Sequence, residues 1–181
     1  PIKHLSIHGY SSQSKDSKRP FYAPNAIDGN RNTLWHTDFA VSIEGQRAYI
    51  TIKLDSSKYI SAMEFVQKKY KVNNPDSIKN MIVSVSKDGE NWVEIGRKEN
   101  CEQDEEFKRI DFAESMEAQY VKLEMETYDM FASLAMVNLY EDTTKIEKVK
   151  GDIDGDGELT VNDIALLKLH LIAIEFLEGE Q

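Results

Sequence analysis

Counting Asp152 as position 1, the segment 151–163 (Gly-Asp-Ile-Asp-Gly-Asp-Gly-Glu-Leu-Thr-Val-Asn-Asp) places Asp154 and Asp156 at positions 3 and 5, Gly157 at 6 and Asp163 at 12. Calcium takes about six to eight oxygens, and a loop of this spacing wraps the ion with alternate side chains while glycine supplies the sharp turn. Glu158 offers its backbone carbonyl at position 7, and Thr160 stands at position 9, often occupied through a water. A second oxygen-rich turn, Asp28-Gly29-Asn30-Arg31-Asn32-Thr33, brings Asp28, Asn30 and Thr33 around one glycine. It suits either a hard cation or an ion-free turn closed by the Asp28 side chain.

Catalytic chemistry is harder to find. Glycoside hydrolysis needs two positioned carboxylates in a cleft. Glu64, Glu94, Glu124 and Glu126 fall in runs of alternating polarity that turn them toward solvent. No nucleophile motif or HExxH occurs, so the chain is expected to catalyse nothing itself. The single cysteine, Cys101, has no partner for an internal disulfide. The formal charge is −10 over 181 residues. Residues 141–181 carry eleven acids against four lysines, so −7 of it lies in the tail and −3 before it. Such acidity argues against nucleic acid and anionic membranes as partners. The apolar run Ile164–Leu177 includes Lys168, His170 and Glu175 and is too short and polar for membrane insertion.

The elements that must position these residues change character once. To about residue 140 the period is two: Ala48, Ile50, Ile52 and Leu54 alternate with Tyr49, Thr51 and Lys53, and Met81, Val83 and Val85 with Ile82, Ser84 and Ser86. Lys87-Asp88-Gly89 then turns into Trp92-Val93-Glu94-Ile95, a strong hairpin signal because glycine accepts positive φ. Further strands are expected at 4–8, 59–67, 107–112, 119–126 and 134–140. Seven or eight short strands without an amphipathic helix predict an all-β antiparallel β-sandwich. Three segments follow: a domain over 1–141, a charged linker over 142–150, and a calcium loop plus α-helix over 151–181, helical from Asp163 to Leu177. Ile164, Leu167, Leu171 and Ile174 form one stripe of that helix, while Leu166, Leu169, Ile172 and Phe176 fall largely outside it. A helix apolar around so much of its circumference must be covered by something.

The 151–181 segment resembles the first calcium repeat of a dockerin, whose loop ends in Asp and continues as Asp-Ile-Ala-Leu-Leu-Lys, Asp163 to Lys168 here. The resemblance implies Asp152, Asp154, Asp156, Glu158 and Asp163 as calcium ligands and a cohesin module as partner. Dockerins of this kind carry two repeats, and no internal repeat is visible. The absence of Met, basic n-region and apolar h-region at Pro1 likewise fits a segment of a longer protein.

The stretch Pro24 to Thr37 resembles the N-terminal signature of the discoidin (factor V/VIII C-type) fold, a jelly-roll sandwich, and within it family 32 carbohydrate-binding modules. Ser86 to Trp92 and Phe131 to Tyr140 continue the resemblance in order, over residues 5–141. It implies a structural calcium held by the Asp28 carboxylate, the Thr33 hydroxyl and carbonyl, and carbonyls of Asn25, Asn30 and Ala135. Met136 stands where a Glu carboxylate is usual, which predicts a weakened site. Trp35 and Trp92 are expected in the core. For a glycan of galactose-type or related terminal sugar, His36 would meet a ring hydroxyl and Phe131 would stack on the ring. Phe39 and Tyr128 would widen that platform. Lys69 replaces the family's usual arginine, and Asn73 or Asn74 supplies an amide; a lysine is a point donor, so specificity should loosen. Family analogy adds a bacterial, secreted or cell-surface carbohydrate-active enzyme as parent. The competing expectation is a phospholipid-binding or protein-adhesion discoidin domain.

Overall fold

The period-two runs do form strands, but two pairs of expected strands are continuous. The computed structural model describes residues 1–15, 18, 20–40, 42–43, 45–68, 77–128, 130–145, 153 and 160–178, with side chains of the last helix through Leu169. Two units result, Pro1–Asp142 and Thr143–Gln181. The first contains β1 (Ser6–Tyr10), a 3-10 turn at Ala23–Ala26, β2 (Trp35–His36), β3 (Ala48–Val66), β4 (Ile78–Ser86), β5 (Val93–Lys98), β6 (Lys108–Thr127), β7 (Ser133–Leu134) and β8 (Met136–Glu141). They pair antiparallel in the order β1-β3-β6-β4-β5, with β8 also on β3, and β2 pairs β7 separately.

β3 and β6 organise the sandwich. Ala48–Lys53 of β3 lies between β1 and Met125–Tyr120 of β6, whereas Lys58–Phe65 pairs with Ala118–Lys108 and Ile60–Val66 with β8. The register shifts between Lys53 and Lys58, and again between Ile60 and Ala62. Such bulges bend a strand and increase its twist, so each long strand serves both layers. Their inward side chains meet those of β4 and β8 in one core containing Ile50, Ile52, Met63, Phe65, Met81, Val83, Val121, Leu123 and Leu139. β4, between β6 and β5, departs from simple alternation because Ile82, Ser84 and Ser86 are buried as well.

Local chemistry accounts for the remaining boundaries. Gly89 takes φ +83° in the expected hairpin. The Asp88 carboxylate accepts the Glu90 and Asn91 N–H groups at 2.8 Å each. With the Asn91 side chain and Ser86 adding bonds, the Asn91 N–H foremost among them, it is held well below the usual carboxylate range. The first strand begins at Ser6 rather than 4, since His4 has a left-handed φ of 56°. Trp35 is fully buried, as its place in the signature implies. Trp92 is not in the core: it is half-buried, with the Lys122 ammonium 4.8 Å from the ring centroid. The strand glutamates form ion pairs on the outer faces, Glu64 with Arg109 at 3.1 Å, Glu94 with Arg97 at 2.7 Å and Glu126 with Arg47 at 2.8 Å.

The second unit holds a 3-10 turn at Thr143–Lys145 and the helix α1 (Val161–Glu178). Thr160 Oγ1 accepts the Asn162 N–H at 3.2 Å, and Asp163 Oδ2 accepts the Thr160 N–H at 2.7 Å. This reciprocal capping starts the helix at Val161, two residues before the expected Asp163.

Candidate ligand-binding site

The site is assembled where β2 and β7 meet. Their pairing is short, Trp35 with Leu134 and His36 with Ser133. Trp35 anchors it, its indole N–H donating to the Ser12 carbonyl at 2.9 Å. His36 is then clamped by its backbone, donating to the Phe21 carbonyl (3.2 Å) and accepting from Ser14 (3.0 Å). Its ring Nδ1 lies 2.6 Å from the Thr37 carbonyl, which can only accept. Nδ1 therefore carries a proton, and in the neutral ring Nε2 is the acceptor atom.

Three phenylalanines surround this imidazole. Phe39 stacks on it with centroids 4.0 Å apart and an interplanar angle of 27°. Phe131 lies 5.5 Å from His36 and 6.0 Å from Phe39, and Phe21 is 6.3 Å from each of the same two rings. The phenylalanines are half-buried, whereas His36 is 1% exposed. The imidazole is therefore covered, with Phe39 the nearest of the three rings. Thr37 and Ala132 exchange hydrogen bonds, Thr37 N–H to the Ala132 carbonyl at 3.0 Å and Ala132 N–H to the Thr37 hydroxyl at 3.3 Å, locking the Phe131 strand beside the His36 strand. Next in sequence to Phe39, Asp38 accepts the Ala40 N–H at 3.0 Å and pairs with Lys15 at 3.3 Å. These contacts, the Ala40 N–H foremost, hold its carboxyl below the usual range against the opposing effect of burial.

His36, Phe39 and Phe131 are thus brought together. Tyr128 has other partners: its N–H donates to the Ser77 carbonyl at 3.1 Å and its hydroxyl to the Cys101 carbonyl at 3.2 Å. Lys69, Asn73 and Asn74 lie outside the described residues. The segment leading to them is tied down by the Ser133 hydroxyl, which donates to the Lys68 carbonyl at 2.9 Å. Sequence reasoning missed Phe21, because the Phe21-Tyr22 pair stands in a short stretch without periodicity. It also missed Gln67, buried at the end of β3. Gln67 donates to the Glu102 carbonyl (2.6 Å) and the Asp104 carbonyl (3.2 Å) and accepts the Ile78 N–H (2.8 Å). A glutamine closing a strand run was the available signal.

The Asp28 turn is built as expected for its residue types. Gly29 takes φ +75°. Asp28 Oδ1 accepts the Asn30 N–H at 2.8 Å, and Thr33 Oγ1 lies 2.7 Å from both Asp28 Oδ2 and the Asn30 carbonyl oxygen. One hydroxyl proton cannot lie between both oxygen pairs. This surplus of acceptor oxygen is the condition a hard cation relieves, so the donors fit calcium. Asn25 is held with its amide donating to the Pro20 and Leu34 carbonyls at 2.8 and 2.9 Å. Asp28 and Gly29 share a cleft of about 350 Å³ with Met136, Val137 and Asn138. There Met136 offers sulfur, a poor match for calcium. Ala135 is buried and donates to the Val66 carbonyl at 2.8 Å. Among the described residues no group of three or more His, Cys, Asp or Glu side chains is placed to hold a metal ion; the Asp28 turn has one carboxylate.

Asp152, Asp154, Asp156 and Glu158 lie outside the described residues. Asp163 is 3% exposed and accepts the Ile153 N–H at 2.8 Å besides that of Thr160, so both its oxygens bind backbone donors. On α1, Val161, Ile164, Leu166, Leu167 and Leu169 are exposed. No helix among the described residues is long and apolar enough to cross a membrane.

A sandwich whose aromatic side chains gather on short strands and loops at one margin defines a discoidin-like binding module. The chain belongs to the F5/8 type C domain family, whose profile matches residues 9–138. Solved structures agree. A family 32 module of a family 89 glycoside hydrolase from Clostridium perfringens, in complex with GalNAc-β-1,3-galactose, is 27% identical, with a TM-score of 0.64 over 75% of this chain and 94% of that one. The family 32 module of C. perfringens NanJ, in complex with galactose, is 21% identical, with a TM-score of 0.64 over 76% and 93%. A pectin-binding carbohydrate-binding module is 21% identical, with a TM-score of 0.56 over 79% and 93%. The chain is homologous to non-catalytic carbohydrate-binding modules of glycoside hydrolases and is itself a non-enzymatic module.

Proposed function

We propose that residues 1–141 bind a glycan, with galactose-type or related terminal sugars as the ligand class, and that they serve a larger secreted bacterial carbohydrate-active enzyme. The observation that carries this reading is the aromatic group of His36, Phe39 and Phe131, half-exposed at its phenylalanines and fixed by the β2–β7 pair. Phe131 takes the C–H face of the sugar, His36 Nε2 accepts a hydroxyl proton once Phe39 yields, and Lys69 with Asn73 or Asn74 completes the wall. Few contacts in an open site make the affinity weak. The Asp28 turn holds a structural calcium through Asp28, Thr33 and the carbonyls of Asn25, Asn30 and Ala135; the oxygen-rich contacts of Thr33 support this. Bound there, the ion neutralises the converging oxygens and stiffens the turn next to β2.

Residues 151–181, after the 142–150 linker, act as a calcium-dependent dockerin segment for a cohesin. The acidic loop spacing supports the calcium, and the exposed apolar residues of α1 support a protein partner. A glycan array with the wild type, His36→Ala and Phe131→Ala, run with and without EDTA, tests the module. Binding to galactose-terminated glycans that both variants lose is expected; binding left intact in both overturns the site.

A further inference from the structure

A second aromatic surface lies at the free edge of β1. Ile7, Tyr10, Gln13, Tyr22 and Pro24 line a concavity of about 430 Å³, within the ~300–1,000 Å³ range of small-molecule sites. Tyr10 and Tyr22 are 40% and 42% exposed. Tyr22 has extended backbone, φ −82° and ψ 154°. In extended chain, successive side chains project to opposite sides. Phe21 therefore reaches the His36–Phe39 rings, while Tyr22 faces away, into the concavity. The two surfaces are distinct, yet separated by one peptide bond.

The described lining of the concavity is neutral and braced by a hydrogen bond. Gln13 Oε1 accepts the Ala23 N–H at 2.9 Å, the first residue of the 3-10 turn. That bond fixes the amide plane and so aims Nε2, which has no protein partner among the described residues. The hydroxyls of Tyr10 and Tyr22 are likewise without protein partners among the described residues. Pro24 has a locked φ, and Ala23 and Ala26 are fully buried below it. Among the described residues none of the lining is charged at neutral pH, which favours a neutral ligand over an ionic one. Two aromatic faces, a fixed amide donor and two phenolic hydroxyls make the chemistry that recognises a pyranose: apolar C–H surface on the rings, hydroxyls on the polar tips.

We propose that this concavity is a second sugar-binding site, taking one neutral pyranose unit of a glycan. The ligand class rests on the function proposed above; the site does not use His36, Phe39 or Phe131. Two sites on one module engage a multivalent glycan at once, raising retention without new contacts at either.

The test is a 15N NMR titration of the whole chain with galactose and with β-1,4-galactotetraose, alongside retention on immobilised galactan. Saturable shifts are expected at the Gln13 side-chain amide and the Tyr22 backbone amide. Tyr22→Ala should abolish them while leaving the Phe131 response, and Phe131→Ala should do the reverse. A Tyr10→Ala/Tyr22→Ala variant should lose roughly tenfold or more in galactan retention while its Phe131 response to free galactose is unchanged. Absence of saturable shifts at Gln13 and Tyr22 with the tetraose overturns the second site, whatever Phe131 does. Shifts at Gln13 without any at Phe131 uphold it and refute the primary site instead.

Discussion

Replacing Gln67 by alanine is the sharpest probe of how the binding end is held. Gln67 is 2% exposed and stands at the start of the 68–77 connection. Its Oε1 accepts the N–H of Ile78, the first residue of β4, and its Nε2 ties Glu102 and Asp104 to the same point. Truncation leaves the N–H of the fully buried Ile78 without an acceptor, while the two carbonyls, in a more exposed turn, regain water. An orphaned buried donor costs about 1–3 kcal/mol, and with the two lost carbonyl bonds the total is about 2–4 kcal/mol. At about 3 °C per kcal/mol for a domain of this size, the melting temperature should fall by about 6–12 °C. Tryptophan fluorescence isolates the effect, because Trp35 and Trp92 both lie in the Pro1–Asp142 unit. Gln67→Glu adds a sign test. Its carboxylate still accepts from Ile78 but faces two carbonyls, so its pKa is raised and its deficit should shrink as the pH is lowered through that pKa. A Gln67→Ala melt within about 2 °C of wild type, less than one kcal/mol on this scale, refutes the reasoning.

Two further outcomes follow from the same geometry. Thr33→Val removes the hydroxyl between Asp28 and Asn30, so the rise in melting temperature that calcium gives the wild type, measured against EDTA, should be lost. Asp38 is held below the ordinary carboxylate range, chiefly by the Ala40 N–H. Its folded pKa is the lower one, so its stabilisation is full above the unfolded value of about 3.9 and fades as pH falls through the folded value. In denaturant titrations from neutral to acid pH, Asp38→Asn should therefore show a shallower loss of stability than wild type.

Much of the architecture was legible because the same alternation that buries a strand's face also writes its sequence. Ile50, Ile52 and Leu54, and the turn at Asp88-Gly89, declared themselves in this way. The continuity of β3 and β6 did not, since the bulged residues between Lys53 and Lys58 break the period while the chain stays extended. Of the site, His36 and Phe131 were found through the motifs around them. Phe21's approach to the imidazole and the clamp made by Gln67 depend on contacts between separate segments, which no local pattern records. Trp92 misled for a different reason: its place in the resembling signature implied the core, but here a lysine lies over its ring.

The union of β2 with β7 joins segments 95 residues apart, Thr37 and Ala132 sharing their hydrogen bonds across it. Contacts so far apart in sequence are among the last a chain can afford to close. During synthesis, the His36 half must leave the ribosome well before its Phe131 half exists. A nascent or clipped chain thus cannot engage a ligand at this cluster, and competence there becomes a report that the final strands have docked.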